Sequence, residues 1–351
     1  MTKSVDHLIR ENIKKLIPYS SARSEYKQAE GIFLDANENP YGKYNRYPDP
    51  FQLKLKDKLA KVKNIRPEQI FLTNGSDGIV DITYRVFCEP GVDKALTFPP
   101  TFAMYTVASH LNNVELITVP LDENFQIDRP ALEKHIDDEK LKVIFLCSPN
   151  NPTGNHLKRE DIDYILENFK GITVIDEAYI DFNNRISYAQ KLDKYPRLVV
   201  LQTLSKSWAL AGARIGMALM SKTLVSYFNK IKTPYNVSSI DQQVAMDALS
   251  DQEIFQERMI TILSEKNRVL ESLKSSPLIK KIYPSDTNFL LVEVEDGEDF
   301  YLKLLQHNII VRNQNKTIKN ALRITIGKPE ENDKLLQVLS KIENSASIVS
   351  Q

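Results

Sequence analysis

The chain has 351 residues with 46 Lys and Arg against 46 Asp and Glu, so no global field gathers nucleic acid or an anionic membrane, and two lobes are the default at this length. No apolar run approaches the ~20 residues that span a bilayer, and the segment from Met1 to Leu8 lacks the apolar core of a secretory signal, which predicts a cytoplasmic address. Cys88, Cys147 and the five histidines show no ligand or redox spacing, so no metal is assigned and each thiol reads as buried and reduced.

In chain order, Val5 to Ile17 spaces its apolar residues as a short amphipathic helix, which Pro18 ends ahead of Tyr19. Ile32-Phe-Leu-Asp-Ala-Asn-Glu-Asn-Pro-Tyr-Gly42 reads as a strand breaking into a turn, where Asn37 offers both a donor and an acceptor. Arg46-Tyr-Pro-Asp-Pro50 is rigid and bracketed by proline. A helix over Phe51 to Val62 precedes the strand Gln69 to Leu72, the turn Thr73-Asn-Gly-Ser-Asp-Gly78 and a further helix. Strand, glycine turn and helix N-terminus form an anion site in which Ser76 and Asp77 supply N–H groups, or serve as caps. The glycine pattern is neither a Walker loop nor a dinucleotide fingerprint, and one monophosphate fits it best.

The strand Lys94 to Phe98 leads to Phe102, a candidate to stack on a ring. After Val114 to Val119 and a helix near 129–139 come three apolar strands. Val143 to Cys147 delivers Asn151 within Ser148-Pro-Asn-Asn-Pro-Thr-Gly154, Ile172 to Ile175 delivers Asp176 and Tyr179, and Leu198 to Leu201 delivers Ser205, Lys206 and then Arg214. Clefts form at the ends of parallel strands, and a lysine in such a partly desolvated place suits Schiff-base chemistry. A long helical region from Leu224 to Leu273, broken near Pro234, holds the inter-domain connection. Strands over 279–283, 289–294, 309–312 and 321–326, with helices over 299–306 and 330–342, predict a small α+β lobe and a disordered Ser-rich tail.

Taken singly, each candidate has a plain structural alternative: Asp176 a helix cap, Arg214 a surface ion pair, Asn151 a turn former, Phe102 core. Their joint order resembles the fold-type I pyridoxal-phosphate aminotransferases over nearly the whole chain. The motifs Leu34 to Gly42, Arg46 to Pro50, Asn74 to Asp77, Ser148 to Gly154, Asp176-Glu-Ala-Tyr179 and Ser205-Lys-Ser207, with two arginine strands in the tail, are most similar to the histidinol-phosphate aminotransferase family.

That resemblance implies an aspartate aminotransferase-like α/β fold: an arm over 1–30 associated with the small domain, a large pyridoxal-phosphate-binding domain over 31–245 with a mainly parallel sheet flanked by helices, and a smaller α+β domain over 246–351. It implies Lys206 as the covalent and proton-moving residue, Asp176 on the pyridinium nitrogen, and Tyr179 and Asn151 on the ring oxygen. Ser76, Asp77, Ser205 and Arg214 then take the phosphate, Phe102 covers the ring, and Tyr47 crosses to the neighbouring subunit's phosphate in a homodimer. Arg312 and Arg323, with Tyr19 and Asn37, are implied for the anionic end of histidinol phosphate and of glutamate or 2-oxoglutarate, used in turn in a ping-pong reaction of histidine biosynthesis. Position 102 is commonly tyrosine in that family, so a hydroxyl contact is missing here. The alternatives are an aromatic amino-acid aminotransferase, or a pyridoxal-phosphate decarboxylase of a phosphorylated amino acid. A cofactor-binding regulator without turnover fits less well, since the chain has no spare basic helix-turn-helix module for nucleic acid.

Overall fold

Apolar runs of four to seven residues with no polar alternation need cover on both faces, and the computed structural model satisfies them that way. It describes residues 5–20, 25 and 31–349. Seven strands, β1 (Ile70–Asn74), β2 (Lys94–Thr97), β3 (Glu115–Thr118), β4 (Leu141–Cys147), β5 (Ile172–Asp176), β6 (Leu198–Thr203) and β7 (Ile215–Met220), form one sheet in the order β1-β7-β6-β5-β4-β2-β3. Only β7 runs against the others, so the C-terminal ends of the remaining six share an edge with the start of β7.

The two-residue period of a strand splits the core in two. Ile144 and Leu146 of β4 and Leu198 and Val200 of β6 face one layer, where α2 (Leu53–Lys63), α6 (Arg159–Asn168) and α8 (Ser239–Ser250) pack. Phe145, Val199 and Leu201 face the other layer, covered by α3 (Asp77–Phe87), α4 (Met104–Leu111) and α7 (Lys222–Ile231). A helix near 129–139 was expected and a five-residue α5 (Arg129–Glu133) is found. Val5, Ile9 and Ile13 also lie in the second layer, with Ile13 on α1 (Glu11–Lys15), so this part of the arm packs on the large sheet and not with the small lobe. The rest of the expected arm, residues 21–24 and 26–30, lies outside the described residues.

A second, antiparallel sheet joins β8 (Ile279–Ile282), β9 (Phe289–Val294), β10 (Arg312–Asn313) and β11 (Ala321–Thr325) in the order β10-β11-β9-β8. It is backed by α9 (Gln252–Lys274), α10 (Gly297–Gln306) and α11 (Pro329–Val349), whose inner faces share one core. The helix runs through the Ser-rich segment that the sequence left disordered, and residues beyond Val349 lie outside the described ones. The expected strand over 309–312 shrinks to Arg312–Asn313.

The long helical region breaks at Asp251, whose side chain accepts from the Ile254 N–H, so the helix ends and restarts there. Ala245 and Leu249 still pack against the large sheet, which places the change of core about five residues later than the sequence suggested. The expected strand at 32–34 is not formed: Ile32 and Leu34 are 91% and 88% exposed, and among the described residues no strand runs beside them to complete a ladder. Among the described residues no helix is long and apolar enough to cross a membrane.

Gly216 shows how tightly β7 is drawn against the turn after β1. A Cβ there meets the Ser76 backbone nitrogen at 2.3 Å and the Gly75 carbonyl carbon at 2.4 Å, whereas one at Gly212 meets nothing within 4 Å. Gly216→Ala is therefore expected to cost about 1–3 kcal/mol of stability through overpacking. Gly212→Ala should stay within about 0.5 kcal/mol of the parent. Urea unfolding of both variants checks this, and equal midpoints refute the close approach.

Candidate active site

The shared sheet edge gathers the polar residues that the strands deliver. Asp176 ends β5 and is 4% exposed. Its carboxylate accepts from the Tyr105 hydroxyl at 2.8 Å and from the Ala178 N–H at 3.1 Å. Burial pushes this carboxyl up to about 6; Asp77 repels its charge further, while Tyr105, Ala178 and Lys206 pull the other way. No arginine or lysine bonds it directly among the described residues. A buried carboxylate lacking a cationic donor is costly on its own.

Lys206 stands in the loop between β6 and β7, with its Nζ 5.7 Å from the centre of the Tyr179 ring. The residue reaches open cleft, yet the walls around its ammonium withdraw water: burial, then Arg323, lower its proton affinity, against opposing pulls from Asp176 and Asp77. The loop is pinned from behind. Ser207 donates to Asp181 at 2.6 Å, Lys63 pairs with Asp181 at 3.0 Å, and the Trp208 ring stacks on Phe255 at 4.0 Å. The Ser205 hydroxyl is 3.0 Å from that of Thr203, and the Leu204 N–H donates to the Ile215 carbonyl, which ties the loop to β7.

At the other end of this rim the Gly75 N–H donates to the Arg214 carbonyl at 2.6 Å. Gly75 has φ +80, and a side chain at that position would collide with the Arg214 guanidinium. Arg214 itself holds φ 50, a left-handed backbone that a long side chain adopts only under constraint. It extends toward Asp77, 3.6 Å away. The Ser76 side chain makes no cap bond at the start of α3, so the helix N-terminus stays open beside a guanidinium.

The small sheet closes the third side. Arg312 and Arg323 are register partners on β10 and β11. Arg323 donates to the Asn151 side-chain carbonyl, and its guanidinium lies 5.1 Å from the Phe289 ring centre, which in turn meets the Tyr179 ring edge-on at 5.2 Å. Its Nε is buried without an acceptor. Burial, with Arg312 nearby, holds this guanidinium below its ordinary range. Two arginines on paired strands, with no carboxylate bonded to either among the described residues, suit an anion.

Eleven of the fourteen residues singled out from the sequence thus lie along one rim. Phe102 is among them, edge-on to the Tyr105 ring at 5.7 Å. Asn151 was expected on a ring oxygen; its side-chain carbonyl is engaged by Arg323. Tyr19 is 73% exposed and Asn37 stands exposed with φ 54, and the bonds described above do not include either. Tyr47 stacks on Tyr235 at 4.4 Å. Sequence reasoning missed Tyr105, whose only signal was its place three residues after Phe102 on a helix that faces β5. It also missed Asn150, which is 1% exposed and fixes the turn by bonding the Pro100 carbonyl and the Thr153 hydroxyl, each at 2.8 Å.

The Asp176 carboxyl gives a signed prediction. Its folded pKa, about 6, lies above the ordinary 3.8, so ionising it costs more in the folded chain; the penalty is absent below about pH 4, grows through the interval and is complete above about 6. Ligand-free Asp176→Asn should therefore be more stable than the ligand-free parent near pH 8, by on the order of 2 kcal/mol, with the gap closing near pH 4. Thermal melts across that range test it, and a gap that ignores pH refutes it.

The chain matches the family described as aminotransferase class I and II over residues 21–339. It is 48% identical over 344 residues to the histidinol-phosphate aminotransferase of Parabacteroides distasonis, covering 97% of this chain and 99% of that one. It is 45% identical over 346 residues to the enzyme of the same name from Cytophaga hutchinsonii, at 97% and 99% coverage. Among solved structures, the histidinol-phosphate aminotransferase of Clostridium acetobutylicum superposes with a TM-score of 0.79 at 26% identity, covering 86% of this chain and 92% of that one. The Sinorhizobium meliloti enzyme, solved in complex with pyridoxal-5'-phosphate, gives 0.79 at 25% identity, with 89% and 90% covered. Family match, near-full-length relatives and the lysine-centred rim agree: the chain belongs to the class I and II aminotransferases, in the histidinol-phosphate aminotransferase family.

Proposed function

We propose that this chain, as a cytoplasmic homodimer, moves an amino group between L-histidinol phosphate and 2-oxoglutarate, yielding imidazole acetol phosphate and L-glutamate, with pyridoxal 5'-phosphate as cofactor. The observation that carries this reading is the Arg312–Arg323 register pair, to which no carboxylate is bonded among the described residues and whose Arg323 acts on the charge of Lys206. A phosphate ester and a dicarboxylate both present the anion that such a pair needs, and the fork geometry of arginine suits either. Relatives of the same name at 43–48% identity support the choice of substrate.

The donor set fits the cofactor on three counts. Asp176 is a buried carboxylate lacking the cation that a protonated ring nitrogen supplies. Ser76, Asp77 and Arg214 stand at the open start of α3, which suits a phosphate that Ser205 would also bind. Gly75 and Gly216 keep that cradle free of side chains. When bound, the cofactor supplies an aldehyde for covalent attachment and a ring that accepts the electron pair released at the substrate carbon.

The chain's own groups do the rest. Lys206, with its proton affinity lowered by burial, is available at Nζ as a nucleophile and then as the base that carries a proton between the two reacting carbons. Tyr179 and the Asn151 amide nitrogen would hydrogen-bond the ring oxygen, Phe102 would cover the ring, and Arg323 with Arg312 would orient the substrate's anionic end. Tyr19 and Asn37 complete the substrate pocket. Two units, divided near Asp251, form the walls of this cleft, the rim coming from the large sheet and the arginine pair from the small one.

An exposed apolar strip supports the dimer. Ile17, Ile32, Leu34 and Tyr41 are each more than 80% exposed within one N-terminal stretch, more than a lone chain leaves to water without reason. A second copy covers it and receives Tyr47 at its cofactor phosphate.

Arg323→Ala should lower kcat/KM for histidinol phosphate and for glutamate by about 10²-fold each, with cofactor loading retained. Steady-state kinetics with both donors checks this, and an unchanged profile moves the anion site elsewhere. For the shared site, Lys206→Ala and Tyr47→Ala copies, each weak alone, should regain activity when dissociated and reassembled together, because one site of the mixed dimer then holds both native residues. Absence of any gain in a verified mixed dimer rejects the crossing of Tyr47.

A further inference from the structure

Among the described residues, Tyr105 is the one side chain that donates a hydrogen bond to the Asp176 carboxylate, and the same hydroxyl lies against the Cys147 thiol. The Tyr105 hydroxyl donates to the Asp176 carboxylate at 2.8 Å, deep inside the layer between β5 and α4. Tyr105 is 0% exposed. Its ring is clamped by Phe145, stacked at 4.9 Å, and by Phe102, edge-on at 5.7 Å. Its backbone carbonyl is fixed in turn by the Tyr84 hydroxyl at 2.9 Å. Three aromatic residues from three elements thus aim one phenol at one carboxylate.

We propose that Tyr105 is a positioning residue for Asp176: its hydroxyl holds the carboxylate in its ionised form and in a fixed orientation toward the cofactor ring. This rests on the reading of Asp176 as the ring-nitrogen partner. Tyr105 touches neither substrate nor cofactor in that arrangement and acts through Asp176.

The groups facing Asp176 leave this task to Tyr105. Cys147 of β4 is buried beside it, with its thiol donating to the Pro149 carbonyl and in contact with the Tyr105 hydroxyl. Asp77 at the start of α3 repels the charge, and Lys206 attracts it without a hydrogen bond among the described residues. The Ala178 N–H holds the other oxygen. Burial favours the neutral acid, and Tyr105 is the first of the groups that oppose it. Burial also keeps the phenol firmly protonated, so it remains a donor throughout the working range.

The test is the pH dependence of cofactor affinity in the full chain, read by fluorescence quenching between about pH 5 and 9, for the parent, Tyr105→Phe and Asp176→Asn. The parent should bind more tightly as pH rises through about 6, where Asp176 ionises. Loss of the hydroxyl should move that midpoint up by about one to two pH units, the worth of a charge-assisted bond. The variant-to-parent affinity ratio is then worst near neutrality and recovers toward one at high pH. Asp176→Asn should show no such step. In the ligand-free protein, the ¹³C carboxyl titration of Asp176 should shift in the same direction, independently of turnover. If Tyr105→Phe fails to fold, a fluorinated tyrosine at 105, a stronger donor of the same shape, should shift the midpoint downward. An unmoved midpoint, or a loss of affinity equal at every pH, overturns the role of Tyr105 and leaves Asp176 in place. A parent without the step overturns the reading of Asp176, and this one with it.

Discussion

Burial of the Asp176 carboxylate is the constraint on which the rest of the site depends. An ionised carboxylate loses solvation worth several kcal/mol when it leaves water, so its environment must return that energy or the group takes up a proton. Here the return is partial, because a phenol and one backbone N–H leave the carboxyl at about 6. The deficit makes a cation at this point favourable. It also explains why β5 is buried on both faces up to its last residue: water at the sheet edge would satisfy Asp176 and remove its pull on a ligand.

The same economy shapes the opposite end of the rim, where backbone does the work of side chains. Asn74 pairs with Ile215 and Thr203 with Gly216 across β7, the one strand running against its neighbours. This reversal brings the start of β7 to the edge where β1 and β6 end. Gly75, Arg214 and the lysine loop are then linked through two backbone bonds, Gly75 N–H to the Arg214 carbonyl and Leu204 N–H to the Ile215 carbonyl. The left-handed backbone at Arg214 is a local cost of turning the guanidinium toward Asp77 at the open helix start.

Much of this was legible in the sequence because period and position carry it. Three apolar runs that deliver Asn151, Asp176 and Lys206 read as parallel strands, and strand ends of one direction share an edge, so this part of the rim followed without coordinates. What was not legible depends on partners distant in the chain. The apolar Ile32 to Leu34 run has the composition of a strand but pairs with no strand among the described residues, and composition does not reveal which neighbours a run will find. The break at Asp251 is a cap that interrupts an otherwise continuous helical pattern, so the periodicity ran through it. Tyr105 looked like core, which it is. Its hydroxyl acquires meaning only when α4 is laid across β5, 71 residues further along the chain.

The arginine pair and the lysine are coupled by charge as well as by position. Arg323 is the second cause, after burial, of the lowered proton affinity of Lys206, and Arg312 acts on Arg323 in the same sense. An open pocket therefore favours the free amine at Lys206, the form that attacks an aldehyde. An anion docked on the two arginines cancels part of their field at Nζ. On the proposed roles, Lys206 would then be a better proton acceptor while a substrate is in place to give up its proton. The sign follows from Coulomb's law alone, and the size grows as the cleft loses water, because the same charges interact more strongly in a medium of lower polarisability. A phosphate ester carries more negative charge than a monocarboxylate, so the coupling is larger for the substrate whose anionic end matches both arginines. On those roles, recognition of the distant anion and readiness of the base would be one electrostatic event.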